Sequence, residues 1–434
     1  MLVSEKYRTV GAFFKTFVLV GFLLFANSIK ISAQGGETPP TESYTLRDPL
    51  VMNNGNKVTG SKQWYSKRRK ELIELFSHEM YGTSPARPAN MTFKVFDVNK
   101  QALNGRATRK QVTVYFNGKT GGPQMDVLIY LPNNVPSPVP VILQLNFDGN
   151  HRINSDTGIR LSTSWMEPKA TGVVNNRATE ASRGNASSGW DVDMILERGY
   201  GFATIYRGDI DPDYNDSFKN GVHSLYPELQ GRGNNFSTVG AWAWGLSRAM
   251  DYLQTDKDID AKKVALFGFS RLGKAALWAG ATDERFAIVI SNQSGAGGAK
   301  LFHRGKGENI RRLCTVFPHW FCSNFRKYID KDTILPFDQH MVISLIAPRP
   351  VYIASAEEDK NSDPEGEFYS ALAADPVYRF LGTEGLPAKK MPALSEPIPG
   401  RIAYHIRPGG HSIIQYDWEQ YLHFIDKYFK KSKQ

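Results

Sequence analysis

The stretch VALFGFSRLGKAA, residues 264–276, decides the fold. Val264 to Phe267 is an apolar run of strand type, and Arg271 to Ala276 favours helix. Between them lies Gly268-Phe269-Ser270. A strand that passes through Gly-x-Ser straight into a helix must turn tightly, so the residues flanking the serine must be small. Gly268 meets that need. The usual second glycine would stand at 272, but Leu272 is there and Gly273 follows, so the pattern is the variant G-x-S-R-x-G-K. Such a turn lifts the Ser270 hydroxyl above a parallel sheet. It also aims the Arg271 backbone N–H, at the start of the helix, at a developing oxyanion. Three residues alone describe many ordinary strand–turn–helix serines.

Chain order adds an independent test. In α/β hydrolases the serine precedes an acid, and the acid precedes a histidine. After the strand-like run from Pro350 to Ala354 comes Ser355-Ala356-Glu357-Glu358-Asp359, an acid at a strand C-terminus, where open parallel sheets bind ligands. Pro408-Gly409-Gly410-His411-Ser412 follows the last strand. His411 therefore reads as the base and Asp359 as the acid, with Glu358 as the alternative acid. Among the other histidines, His405 lies in the last strand and His423 on the closing helix. His319 and His340 read as structural, with a substrate role as the lesser reading. His151 could line the pocket.

The chain around this centre alternates strand and helix signals. Lys62 to Gly82 has helical spacing, and Met91 to Pro132 holds three alternating runs that predict antiparallel strands. Val139–Phe147, Gly201–Tyr206, Lys263–Phe267, Phe286–Ser291, Pro350–Ala354 and Gly400–Arg407 predict further strands. Val239–Leu253 predicts a buried helix, and Tyr416–Phe429 an amphipathic one. This alternation implies a mostly parallel sheet with helices on both faces. No repeat and no second hydrophobic unit interrupts it. Residues 50–434 read as one α/β catalytic domain. A long insertion runs from Asp148 to Trp190, and a cap-like segment covers about Lys300 to Gln339.

Residues 1–34 read as a secretory signal peptide. Lys6, Arg8 and Lys15 start it, Phe17 to Ala26 is apolar but too short to span a bilayer comfortably, and Ser32-Ala33-Gln34 suits cleavage. An uncleaved anchor is the alternative. Residues 35–49, rich in Pro, Thr and Glu, read as a linker. The expected location is the periplasm or outside, with no membrane attachment after cleavage. The chain has 434 residues, 41% of them hydrophobic and 22% charged, which excludes a membrane-embedded or disordered protein. Its only cysteines, Cys314 and Cys322, supply neither a disulfide framework nor a multi-cysteine zinc site. A bridge between these two is compatible with an oxidising compartment. The net charge is +10. Three of those charges leave with residues 1–34, where Lys6, Arg8, Lys15 and Lys30 stand against Glu5. Export makes nucleic acid an unfavoured partner.

With these motifs in hand, the chain resembles carbohydrate esterase family 15, the glucuronoyl esterases, in its bacterial branch. The blocks that carry the resemblance are GFSRLGKAALWAGATDERFAIVISNQSG (268–295), GENI (307–310), FPHWFC (317–322), LPFDQHM (335–341), LIAPRPVYIASAEED (345–359), DPEGEF (363–368) and GGHS (409–412). The resemblance implies an α/β-hydrolase fold without cofactor or metal. It implies a serine esterase that cleaves esters between (4-O-methyl-)glucuronic acid of glucuronoxylan and lignin alcohols. It makes Ser270 the nucleophile, His411 the base and Arg271 a side-chain stabiliser of the oxyanion. Lys274 and Glu308 would meet sugar hydroxyls. Three positions depart from the family pattern. Gln293 stands where many members carry a glutamate, which leaves the acid to Asp359 or its neighbour. Asn361 stands where relatives often have a tryptophan against the uronic ring. Phe269 replaces the cysteine of the fungal members.

Two rival readings remain at this level: an esterase for another plant polysaccharide ester, acetyl or feruloyl, and a non-catalytic glycan-binding relative. Retention of Ser270, His411 and Asp359 opposes the second. Arg271 and Lys274 form a cationic pair suited to an acidic sugar. A monomer is expected.

Overall fold

A computed structural model describes residues 45–186 and 189–430. The signal-peptide reading of residues 1–34 and most of the linker lie outside them. The described residues all fall within one compact unit.

Its centre is a sheet of nine strands. They are β1 (Thr92–Ala102), β2 (Ala107–Tyr115), β3 (Gln124–Pro132), β4 (Val139–Asn146), β7 (Gly201–Tyr206), β8 (Ile259–Phe269), β9 (Ile288–Asn292), β10 (Val351–Ala356) and β11 (Ile402–Arg407). β5 (Val173–Val174) and β6 (Arg177–Ala178) form a separate small hairpin. The order across the large sheet is β1-β2-β3-β7-β4-β8-β9-β10-β11. β1, β2 and β3 are antiparallel, and β3 meets β7 antiparallel. From β7 to β11 every pairing is parallel. This is the mostly parallel sheet that the strand–helix alternation predicts.

The parallel strands are buried on both faces, and their sequence explains why. Along β8, Val264 and Leu266 pack into one hydrophobic cluster, while Ala265 and Phe267 pack into the other. A strand puts successive side chains on opposite faces, so a continuous apolar run can only be satisfied by cover on both sides. On one face lie the helices Thr238–Leu253, Arg271–Thr282, Gln339–Ile346 and Pro364–Phe380, through residues such as Trp242, Leu277, Ile343 and Phe368. On the other lie Val192–Glu197 and Gln415–Phe429, through Ile195 and Tyr421. Each fully buried large apolar side chain contributes roughly 1.5–3 kcal/mol relative to exposure.

The helix expected over 62–82 runs from Ser61 to Tyr81 as alternating α and wider π turns. Gly82 ends it at φ +80°, where a Cβ would stand 2.0 Å from the Asn235 carbonyl oxygen. The Pro364–Phe380 helix has no counterpart in the periodicity. It begins at a proline and carries Pro376 in its interior, and both obscure the pattern. The 148–190 insertion is mostly irregular, as its composition predicts. The 300–339 segment is a string of short helical turns around Ile310–Val316.

After β4 the chain leaves to form β7 on one side, then returns to form β8 on the other. That reversal opens a crevice beyond the strand C-termini. Ser270 sits at the end of β8, beside it.

Candidate active site

The turn after β8 takes the shape that its residues demand. Ser270 adopts φ 56° and ψ −131°, a conformation that costs an L-residue of order 1–3 kcal/mol and needs surrounding support. Its N–H donates to the Asn292 carbonyl at 2.9 Å, which pins the turn to the end of β9. A Cβ on Gly268 would lie 2.3 Å from the Leu272 carbonyl oxygen. A Cβ on Gly273 would lie 2.8 Å from Ser294 Cβ. The second small residue is therefore required at 273, and Leu272 is buried in the core. Arg271 is the first residue of the helix that follows.

Three loops bring three side chains together. His411 Nε2 is 2.8 Å from Ser270 Oγ, and His411 Nδ1 is 2.6 Å from Asp359 Oδ2. Burial would raise the Asp359 pKa, but hydrogen bonds from His411 and Ser362 outweigh it and hold the carboxyl below its ordinary value. Asp359 is buried, whereas Glu358 is exposed and contacts the histidine loop only through its backbone N–H, which donates to Gly409. The alternative acid is thus outside the relay. Phe269 packs its ring on His411, with centroids 4.6 Å apart. Gln293 holds the same loop from below. Its Nε2 donates to the Ser412 carbonyl at 2.8 Å, and its Oε1 accepts from the Ser412 N–H at 3.3 Å. The amide satisfies a carbonyl and an N–H at once, which a carboxylate cannot do.

These groups line a cleft of about 290 Å³, together with Arg271, Lys274, Glu308, Arg312, Phe317, Trp320 and Asn361. Arg271 Nη1 donates to Asp213 Oδ2 at 2.6 Å, and its guanidinium lies 4.7 Å from the Trp320 ring centroid. Trp320 stacks on Phe317 with centroids 3.7 Å apart. Asp213 also meets Arg207, His319 Nε2 and Trp320 Nε1. Burial alone would raise its pKa, yet these donors and cations hold it well below the carboxylate range. Arg271 Nε is buried with no hydrogen-bond partner among the described residues, and such a donor is costly to leave unpaired.

Lys274 departs from expectation. Its Nζ donates to the Ser294 and Ala296 carbonyls, at 2.9 and 2.5 Å, and to Glu308 Oε2 at 2.9 Å. An ammonium has three donors, and all three are used. Lys274 therefore fixes Glu308 and the 294–296 turn, and it is Glu308 that offers an oxygen to the cleft. The Arg271–Lys274 pair is likewise not free charge, since Asp213 and Glu308 match it. Arg312, exposed and without a carboxylate partner among the described residues, supplies the unmatched cation. Asn361 is exposed at the rim, and its carbonyl accepts from Glu308 N–H at 2.8 Å.

The remaining histidines separate cleanly. His405 is buried between Tyr352 and Asp417, and His340 bonds the Arg47 carbonyl. His423 is exposed. His151 is buried against Ser182, away from the cleft lining. His319 supports Asp213. Cys314 and Cys322 are free and buried, so the bridge does not form. Burial pushes both thiols up to about 11, and they behave as small apolar side chains.

Residues 194–382 match the family model described as glucuronyl esterase, fungi. Carbohydrate esterase MZ0003 of an unknown prokaryotic organism is 51% identical over 391 residues, which are 88% of this chain and 89% of that protein. The chain belongs to carbohydrate esterase family 15. A promiscuous family 15 esterase from a marine bacterial metagenome is 52% identical with TM-score 0.83, covering 88% of this chain and 96% of that one. A glucuronoyl esterase from Solibacter usitatus is 46% identical with TM-score 0.82, covering 88% and 98%. Family 15 membership fixes the α/β-hydrolase fold and the esterase class. No helix among the described residues is long and apolar enough to cross a membrane. Asp213 and Arg312 escaped the motif reading, and Phe317 and Trp320, inside the FPHWFC block, received no role there. Asp213 lies in an acidic loop, DIDPDYND, where nothing distinguishes one carboxylate from the next.

Proposed function

We propose that this family 15 esterase hydrolyses the ester between the carboxyl of (4-O-methyl-)glucuronic acid on glucuronoxylan and a lignin alcohol, through an acyl-enzyme on Ser270. The observation that carries this reading is the hydrogen-bonded relay Ser270–His411–Asp359 at the mouth of the cleft. His411 Nε2 takes the Ser270 proton as Oγ attacks the ester carbonyl. The oxyanion accepts from the Arg271 backbone N–H and from the exposed part of the Arg271 guanidinium. Collapse of the intermediate breaks the bond to the alcohol, which leaves with the proton from His411. Water then attacks the acyl-enzyme with His411 again as base, and the uronic acid leaves. Asp359, held ionised, orients His411 and stabilises its imidazolium. Glu308, fixed by Lys274, accepts from sugar hydroxyls. The similarity to the glucuronoyl esterase of Solibacter usitatus supports the uronyl half of this reading.

A second reading, broader scope that includes acetyl or feruloyl esters, draws on Asn361. It offers the uronic ring no aromatic face, and a relative at 52% identity is described as promiscuous. Activity on benzyl glucuronate, acetylated xylan and a feruloyl ester decides between them, with Ser270→Ala as the blank. Release of benzyl alcohol by the wild type alone supports the uronyl reading, and turnover of only the acetyl substrate contradicts it. Residues 1–34 direct the enzyme out of the cytoplasm in this account. The enzyme works as a monomer on a polysaccharide substrate, with no nucleic acid partner.

A further inference from the structure

The 148–190 insertion takes no part in the relay, yet it is tightly built. Its hairpin turns at Asn175 and Asn176, both at positive φ (49° and 58°), the geometry of a two-residue turn that asparagine tolerates. The Met166 N–H donates to the Asn176 carbonyl, and Asn176 Nδ2 donates to the Met166 carbonyl. Tyr206, at the end of β7, donates its hydroxyl to the Trp165 carbonyl at 2.7 Å, and Ser164 Oγ donates to Asp209 at 2.6 Å. The insertion is thereby fastened to the sheet, and it forms one wall of a second groove of about 800 Å³.

The opposite wall is the 212–224 segment, and it ties this groove to the catalytic cleft. Pro212 and Tyr214 line the groove, while Asp213 between them turns the other way and binds Arg271. One short stretch of chain is thus the partition between the two. Trp165 and Tyr214 meet in the groove with ring centroids 4.6 Å apart. Around them stand amide and hydroxyl side chains and the carboxyl of Asp209, which Ser164 holds, with Arg177 and Lys219 exposed at the rim. Neither cation has a carboxylate partner among the described residues.

We propose that this groove is a second glycan-binding site, which holds the acidic polysaccharide beyond the esterified sugar. The C–H faces of pyranose rings suit half-buried aromatic rings, and their hydroxyls suit the surrounding amides. Arg177 and Lys219 meet the carboxylates of further uronic substituents along the chain. A polyphenol is the poorer occupant, since most of the lining side chains hydrogen-bond. The direction of the chain from Ser270 rests on the uronyl esterase reading, and the groove's own chemistry does not.

The test separates the two. Binding of a xylo-oligosaccharide that carries glucuronic acid is measured by calorimetry on Ser270→Ala, alone and with Arg177→Ser/Lys219→Ser or Trp165→Ala added. The double change weakens binding by about fivefold at low salt, the scale of exposed charge pairs, and the loss fades as salt rises. In the Ser270 background of the wild type, the same double change raises KM for an esterified glucuronoxylan and leaves benzyl glucuronate turnover within about twofold. Equal losses on polymer and small ester, unchanged oligosaccharide binding, or tighter binding of a lignin-type phenolic dimer would each overturn the proposal. If the wild type cleaves no glucuronate ester, the esterase reading fails, while the calorimetry still judges the groove.

Discussion

At the residue scale, the site is a set of matched charges around one strained serine. Asp359 is buried and stays ionised because His411 and Ser362 donate to it. Gln293 belongs to the same scale. Read from the family pattern it is a lost carboxylate, but in place it is the brace of the Ser412 backbone. The departure at Phe269 resolves the same way, as a ring packed on His411.

Between residue and fold stand the elements that carry these groups. The Pro364–Phe380 helix shows how an element far from the chemistry shapes the cleft. Its Glu367 accepts from Gly295 N–H at 2.9 Å and from Ser355 Oγ at 2.6 Å. Gly295 lies between Ser294 and Ala296, whose carbonyls hold Lys274, which in turn holds Glu308. Burial pushes the Glu367 pKa from 4.5 up to about 8. The native state then keeps a proton that the unfolded chain releases between those values, so stability falls as pH rises across that window. Glu367→Gln keeps one donor and one acceptor and removes the titration. Its melting temperature is expected to gain on the wild type at pH 8 and to match it near pH 5. Equal differences at both would show that Glu367 does not titrate there. This helix was also the least legible part of the chain, for it opens on Pro364 and bears Pro376 in its middle. The strands were legible because a sheet buried on both faces needs continuous apolar runs, and Val264–Phe267 is one. The elbow was legible because its glycine at 268 has no steric substitute. Cleft residues on the cap segment were not, since Arg312 and Trp320 reach the site through a path of short turns with no periodicity.

On the scale of the whole molecule, we propose that residues 50–434 fold as one domain, with the insertion and the cap as outgrowths of a single sheet. Calorimetry of the chain without residues 1–34 is expected to give one cooperative transition, and two resolved transitions would divide the domain. What the fold achieves is convergence. Ser270 follows β8, Asp359 follows β10 and His411 follows β11, so parallel strands within one sheet deliver all three to its C-terminal end. Residues 141 and 52 positions apart in the chain meet there at hydrogen-bond distance. The net charge of +10 contributes little inside the cleft, where Asp213 and Glu308 match Arg271 and Lys274; Arg312 at the cleft and Arg177 and Lys219 at the second groove have no carboxylate partner among the described residues. The central claim is that the three converged residues act as one relay. The kcat for benzyl glucuronate of Asp359→Asn, set beside Glu358→Gln, tests it most directly. The account predicts a loss on the order of 10⁴ for Asp359→Asn, as for the buried aspartate of serine proteases, and near wild-type turnover for Glu358→Gln. A loss under tenfold for Asp359→Asn would contradict it.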